Sequence, residues 1–188
     1  MRNLKTFAIA LFTISTLAVS AQTKKVNVEK STINWVGKKV TGQHTGTVKL
    51  QDGALVFKSN KLAGGSFNVD MNSIEVTDLK AGQGKEKLEG HLKNDDFFGT
   101  EKYPTATLDF KKIAAKKNNT YTVTADLTVK GKTAPVTFDL VVSGNTATTN
   151  FKIDRTKYDV KYGSGSFFSG LGDKTIDDNF DISATIVW

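Results

Sequence analysis

Residues 121–153 read YTVTADLTVKGKTAPVTFDLVVSGNTATTNFKI. Tyr121, Val123, Ala125, Leu127 and Val129 alternate with polar residues. Val136, Phe138, Leu140 and Val142 do the same, and then Ala147, Thr149, Phe151 and Ile153. A period of two puts one set on a dry face and the other on a wet face, because successive strand side chains point to opposite sides. Lys130-Gly131-Lys132 and Ser143-Gly144-Asn145 lie between the runs and carry turn chemistry. Three amphipathic strands joined by tight turns make an antiparallel meander with one buried face.

The pattern continues on both sides. Ala106, Leu108 and Phe110 share a face, and Asn118-Asn119 separates them from the next strand. Phe67, Val69 and Met71 form another run. Thr45 to Leu50 and Ala54 to Lys58 read as two strands joined at Asp52-Gly53, a hairpin signal. Ser31 to Lys38 supplies an early strand with Ile33 and Trp35 on one face. The last strand carries Phe180, Ile182, Ala184, Ile186 and Trp188. The total is eight or nine strands, so the fold class is all-β and antiparallel.

One interruption spans about residues 73–103. Leu88 and Leu92 are four apart, which suits one face of a short helix. Gly82, Gly84 and Gly90 weaken it, and Pro104 forces Tyr103 into an extended conformation. Strands of this kind can build a sandwich or a closed barrel. The long, strongly alternating last strand suits closure onto the first, which favours a barrel of about eight strands.

Residues 1–21 read as a secretory signal. Arg2 and Lys5 precede an apolar run from Phe7 to Val19, and Val19 and Ala21 are small residues at signal-peptidase spacing. Cleavage after Ala21 leaves residues 22–188 as one domain. The chain has no cysteine, so core packing alone must hold an exported protein together, and a lipid-anchored cysteine is excluded. The periplasm, or release from the cell, is the expected location.

The whole chain carries +7; without Arg2 and Lys5 this becomes +5. The lysines are scattered in pairs near turns, and Arg155 is the single arginine beyond the signal. Nucleic-acid recognition leans on arginine geometry, so a solvated lysine surface is the better reading and no nucleic-acid partner is expected. That surface is compatible with transient contact at a membrane face or with an anionic partner.

Few residues suggest catalysis. His44 and His91 are the only histidines, and neither has metal-ligand spacing to another His or Cys. Asp95 and Asp96 follow His91 closely, but a carboxylate capping a helical turn is the simpler reading. Gly163-Ser164-Gly165-Ser166 opens no convincing helix, as a phosphate cradle would require. Asp173, Asp177 and Asp178, with Lys174 between them, read as a salt-bridged turn and not a calcium loop.

The aromatic content is more informative. Phe57, Phe67, Phe110, Phe138, Phe151 and Phe180 fall on dry strand faces, whereas Phe97-Phe98 and Phe167-Phe168 are pairs in irregular segments. The strand set could fill the barrel, with the pairs as plugs. Equally, the interior could be partly hollow, with the pairs framing an entrance. An eight-stranded ring allows either outcome.

Several blocks resemble the YceI-like family. They are Trp35-Val36-Gly37-Lys38-Lys39, Gly64-Gly65-Ser66-Phe67, the His91 to Pro104 block HLKNDDFFGTEKYP, Leu127-Thr128-Val129-Lys130-Gly131-Lys132-Thr133, and Tyr162-Gly163-Ser164-Gly165-Ser166-Phe167-Phe168. They run from Trp35 to Phe168 in the family's order, so the resemblance covers essentially all of residues 22–188, and the HLKNDDFF…YP block is the most specific. The resemblance implies an exported bacterial protein with a lipocalin-like antiparallel barrel. Some members of the family carry a long polyisoprenoid, such as a prenylated quinone, in an elongated apolar tunnel, and the family has no catalytic residues common to it as a whole. This chain departs at one place. Many members have a histidine directly after an early strand's basic residue, whereas here Lys38-Lys39 is followed by Val40 and His44 lies further on.

On that basis the expected tunnel lining is Trp35, Phe67, Val69, Leu108, Phe110, Leu127, Phe138 and Phe151. Phe97, Phe98, Phe167 and Phe168 are expected near its mouth. No metal and no catalytic residue is expected, and no cofactor is required beyond a bound polyisoprenoid or prenyl-quinone as ligand. The leading expectation is therefore a non-enzymatic lipid carrier. A filled-barrel interaction or stress-response module is the alternative. A lipid hydrolase or isomerase using His91 with Asp95 or Asp96 is a third.

Overall fold

The computed structural model describes residues 20–188; the proposed signal segment lies almost wholly outside them. The described chain forms nine strands: β1 (Ala21–Lys25), β2 (Thr32–Lys39), β3 (Gly42–Lys58), β4 (Lys61–Val76), β5 (Thr105–Ala115), β6 (Thr120–Val129), β7 (Lys132–Ser143), β8 (Thr146–Asp154) and β9 (Ile176–Val187). One helix, α1 (Lys85–Lys93), sits between β4 and β5.

All the strand pairings between neighbours are antiparallel. β2 to β9 pair in sequence, and β9 pairs back to β2, closing an eight-stranded barrel. Trp35 lies opposite Ile182, and Ile33 opposite Ala184. The last strand therefore closes on the early strand, and its alternation is in phase with that strand. β1 is the ninth strand. It pairs with the far half of β3, Ala54 to Lys58, in line with β2 along the same edge.

Asp52-Gly53 is not a hairpin. The two expected strands on either side of it are a single strand, β3, in which Asp52 and Gly53 lie opposite Asn68 and Phe67 of β4. A Cβ on Gly53 would meet the Phe67 ring at 2.7 Å, so this glycine serves a close approach and not a turn. The true reversal is at Ser59 and Asn60, both at positive φ (48° and 60°), as a tight hairpin turn of the primed type requires. Register shifts between β3 and β4 let this long pair curl around the barrel.

The antiparallel order gives the barrel two unlike ends. The lower end carries three short turns. The upper end carries the β2–β3 and β6–β7 turns and the two long connections, residues 77–104 and 155–175. α1 lies on this upper end. Leu92 is its buried residue, Leu88 packs partly, and the Val76 N–H donates to Glu89 Oε1 at 2.8 Å. Asn94 ends the helix, and in the turn that follows the Phe97 and Gly99 N–H groups donate to the Asn94 carbonyl and not to an Asp95 or Asp96 carboxylate. Asp95 instead pairs with Lys102 at 2.5 Å.

Arg155 fastens the second long connection. Its side chain is 2% exposed. Its guanidinium donates to the carbonyls of Asp177 (2.9 Å), Val160 (2.8 Å), Tyr162 (2.9 Å) and Ile176 (3.1 Å). Asp178 Oδ1 lies 3.6 Å away and supplies countercharge. Five donors in one rigid fork explain why arginine, and not lysine, stands here. Burial pulls the guanidinium below its ordinary pKa, and Asp178 acts against that. The Asp178 carboxyl is itself held below the usual range: burial works to raise it, and the Ser164 and Ser166 hydroxyls with Arg155 outweigh that.

Substitutions at Arg155 and at two glycines test this packing. Arg155→Met leaves four carbonyls and a partly buried carboxylate without their cation, and should cost about 3–5 kcal/mol in denaturant unfolding. Arg155→Lys should recover only part of that. Gly46→Ala places a methyl group against the Glu75 carbonyl and the Trp35 indole. It should cost at least about 2 kcal/mol, whereas Gly37→Ala, whose Cβ would meet nothing within 4 Å, should change stability far less.

Candidate functional site

Closure directs alternate side chains of eight strands toward one axis, and they do not fill the space. Ala106, Ala125, Ala147 and Ala184 are inward, buried and small. Larger inward residues retain accessible surface: Trp35, Val48, Val69, Leu108, Phe110, Phe151, Phe180 and Ile182 are only partly buried although they pack on the core. The surface they retain is the wall of an interior cavity of about 200 Å³.

The cavity is long relative to its volume. On β9 its wall runs from Ile176 to Ile186. At roughly 3.3 Å per residue that is about 33 Å of strand. A barrel tilt of roughly 35–45° reduces it to about 25 Å along the axis. Two packed clusters lie along this length, one toward the lower end around Leu55, Tyr121 and Leu140, the other under α1 around Met71, Leu92 and Phe97. Val69, Leu108, Val136 and Phe151 touch both.

All eight residues expected on the tunnel wall line this cavity: Trp35, Phe67, Val69, Leu108, Phe110, Leu127, Phe138 and Phe151. Trp35 is held by its indole N–H, which donates to the Thr47 carbonyl at 3.2 Å, and it lies across Gly46, its cross-strand partner. Phe67, Phe110, Phe138 and Phe151 form a continuous aromatic series, with neighbouring centroids 5.7, 6.0 and 4.7 Å apart. Phe110 and Phe138 sit on β5 and β7 and meet across β6, where Phe110's partner is Ala125. Phe97 and Phe98 line the upper end of the cavity in mutual edge contact, with centroids 5.0 Å apart. Phe167 and Phe168 stand on the β8–β9 connection at the same end. Each is 51% exposed and neither is part of the wall.

The wall is almost wholly apolar, and its few polar side chains are already engaged. Thr149 Oγ1 donates to the Asp139 carbonyl at 2.7 Å. Arg155 is occupied by carbonyls, with its guanidinium carbon 5.8 Å from the Phe97 ring centre. Asp177 Oδ1 accepts the Asn179 N–H at 2.9 Å. Such a surface offers shape and dispersion to a guest, and little directional recognition.

His91 lies outside the wall. It packs edge-on against Tyr162 (4.4 Å) and Phe97 (5.7 Å). Its Nε2 is buried without a hydrogen-bond partner, and Asp96 Oδ2 is 3.6 Å away. His44 is half-buried near the upper rim, opposite Gly37, with Nδ1 2.8 Å from Asp78 Oδ2. Among the described residues no group of three His, Cys, Asp or Glu could hold a metal. Tyr158 is a buried phenol behind the upper cluster, and burial pushes it up to about 12. Sequence reasoning missed Arg155 as the organiser of the cavity's upper end. Its signal was present: the only arginine after Arg2 in a lysine-rich chain, directly after the strand-ending Asp154.

Comparison with known proteins agrees with this architecture. BcnA of Burkholderia cenocepacia superposes with a TM-score of 0.69 at 25% identity, covering 87% of this chain and 99% of BcnA. A polyisoprenoid-binding domain from Saccharophagus degradans, implicated in plant cell wall breakdown, has a TM-score of 0.59 at 14% identity, covering 89% of this chain and 97% of that one, and shares the fold. The Escherichia coli protein YceI is 36% identical over 87 residues, which is 46% of this chain and 42% of that protein. A UPF0312 protein of Shewanella denitrificans is 35% identical over 80 residues, 43% of this chain and 39% of its relative. The match thus spans less than half the length of these curated relatives. The YceI-like domain matches residues 24–188. With a match over that length and the closed barrel behind it, the chain belongs to the YceI-like family.

Proposed function

We propose that the protein is an exported, non-enzymatic carrier that sequesters a polyisoprenoid, prenyl-quinone-like or comparable long apolar ligand along the barrel axis, in the periplasm or outside the cell. The observation that carries this reading is the wall itself: partly accessible, inward-facing apolar residues over about 25 Å, with each polar side chain already engaged. The S. degradans domain, described as polyisoprenoid-binding, lends support as a protein of the same fold.

The physics favours a greasy, elongated guest. Each methylene removed from water gains roughly 0.8 kcal/mol, so a prenyl tail needs shelter along its whole length. A cavity of about 200 Å³ exceeds the roughly 150 Å³ apolar void that stays dry and accepts benzene. It is smaller than the roughly 300–1,000 Å³ of ordinary ligand pockets. A long tail therefore needs rings such as Phe138 and Phe151 to rotate aside. The contacts among these rings also suit a second reading, an interaction or stress-response module whose interior is mostly packing. The hydrolase or isomerase reading draws less support, since His91 and Asp96 lie outside the cavity wall.

Native mass spectrometry of protein purified from its producing cells, followed by solvent extraction, should release a stoichiometric apolar compound. Protein that emerges empty and takes up no prenyl-quinone or fatty acid would favour the packed-module reading. Leu108→Trp fills the middle of the cavity, where both clusters meet. It should lower uptake of an offered prenyl-quinone about tenfold or more while the cooperative unfolding transition persists. Uptake unchanged by Leu108→Trp would place the ligand elsewhere.

A further inference from the structure

The large hydrophobic residues that remain exposed are unevenly placed. Six among the described residues are Val40, Tyr103, Val141, Tyr162, Phe167 and Phe168. Five of the six stand on connections at the upper end; Val141, on β7, is the exception. Val40 is 66% exposed on the β2–β3 turn, and Phe167 and Phe168 are each 51% exposed on the β8–β9 connection. These elements are joined: the Val40 N–H donates to the Thr175 carbonyl at 3.2 Å, and the Ile176 N–H to the Gly163 carbonyl at 2.8 Å. Tyr162, 45% exposed, links the same connection to α1 through its edge contact with His91.

The loop that bears the two phenylalanines is firmly held from below. The Phe167 and Phe168 N–H groups both donate to the Ser164 carbonyl, Ser166 Oγ donates to Asp178 Oδ2, and Arg155 ties the carbonyls on either side. Two large aromatic side chains are thus displayed, half-exposed, on a braced turn. Lys39 and Lys174 adjoin Val40 and Thr175, the two residues that join these elements, and Lys161 places its Nζ 5.0 Å from the Phe167 ring centre. The pattern is several separate apolar tips on different turns, with long basic side chains around them. A protein partner would call for a contiguous apolar face. An aqueous–lipid boundary takes isolated aromatic tips, with lysines reaching to anionic headgroups.

We infer that the upper end of the barrel docks on an anionic lipid bilayer, with Phe167 and Phe168 inserted at the interface and Lys39, Lys161 and Lys174 against phosphate headgroups. The contact sets the end of the cavity lined by Phe97 and Phe98 toward the membrane. It does not depend on what the cavity holds, so it can hold or fail separately from the carrier reading.

The test uses the full chain and vesicles of phosphatidylcholine with or without phosphatidylglycerol. Phe167→Trp should show a blue-shifted emission and quenching by bromine-labelled acyl chains, whereas Val141→Trp, on a strand away from this end, should show neither. Phe167→Ser combined with Phe168→Ser should lower partitioning onto anionic vesicles about tenfold or more, and Lys161→Glu should lower it roughly fivefold in a salt-dependent way. All variants share one N-terminus, so the differences between them isolate the loop. Circular dichroism matching the unsubstituted protein confirms that each is folded. Equal quenching at positions 167 and 141, or partitioning indifferent to loss of both phenylalanines, overturns the inference. So does self-association in sedimentation velocity that the double substitution abolishes while vesicle binding is absent, since the tips would then serve a second copy of the chain.

Discussion

A closed ring of eight antiparallel strands leaves the chain no freedom over where half of its strand side chains go. Closure of β9 onto β2 turns Trp35 and Ile182 toward the same axis as Leu108, Leu127 and Phe138. A one-residue slip at that seam would send the apolar set outward. The interior is then governed by volume. Alanines at positions 106, 147 and 184 hold the wall back in some places, while phenylalanines advance it in others, and the remainder is an apolar void. The carrier reading depends on that remainder, since a ring of this size filled by side chains would have no room for a guest.

The two ends of the barrel do different work because their connections differ. Tight turns close the lower end and leave no slack. The upper end contains the helix and a connection of about twenty residues, and both need bracing. Arg155 supplies it to the second by satisfying four backbone carbonyls from one buried side chain. Unbonded buried carbonyls are costly, so this arginine allows an irregular segment to lie across the barrel mouth. The same bracing leaves Phe167 and Phe168 outside the core, projecting from a turn that is itself well tied down.

Much of this was legible in the sequence, because alternation reports faces directly. Every residue expected on the tunnel wall came from a strand with clear period-two patterning, and each lies on the cavity. The helix was signalled by Leu88 and Leu92, and the end of the irregular segment by Pro104. The strand break at Asp52-Gly53 failed for a specific reason. Asp-Gly is favoured in hairpins for its positive φ, but Gly53 serves instead to let the Phe67 ring lie against it, and local chemistry does not distinguish the two uses. The Asp95 and Asp96 cap failed similarly, since the carboxylates face side chains, Lys102 and His91, and not backbone N–H groups. Arg155 stood out by residue type, but its role did not, because its partners are carbonyls, which every residue carries.

The central claim, that the barrel interior houses an elongated apolar guest, is tested most directly by a high-resolution crystal structure of protein isolated from its producing cells without added lipid. The account predicts continuous tubular density along the axis, running between Leu108 and Phe180 toward Phe97, with the rings of Phe138 and Phe151 turned against the wall. Rings of opposing strands meeting across the axis, with no density and no continuous void between them, would contradict it.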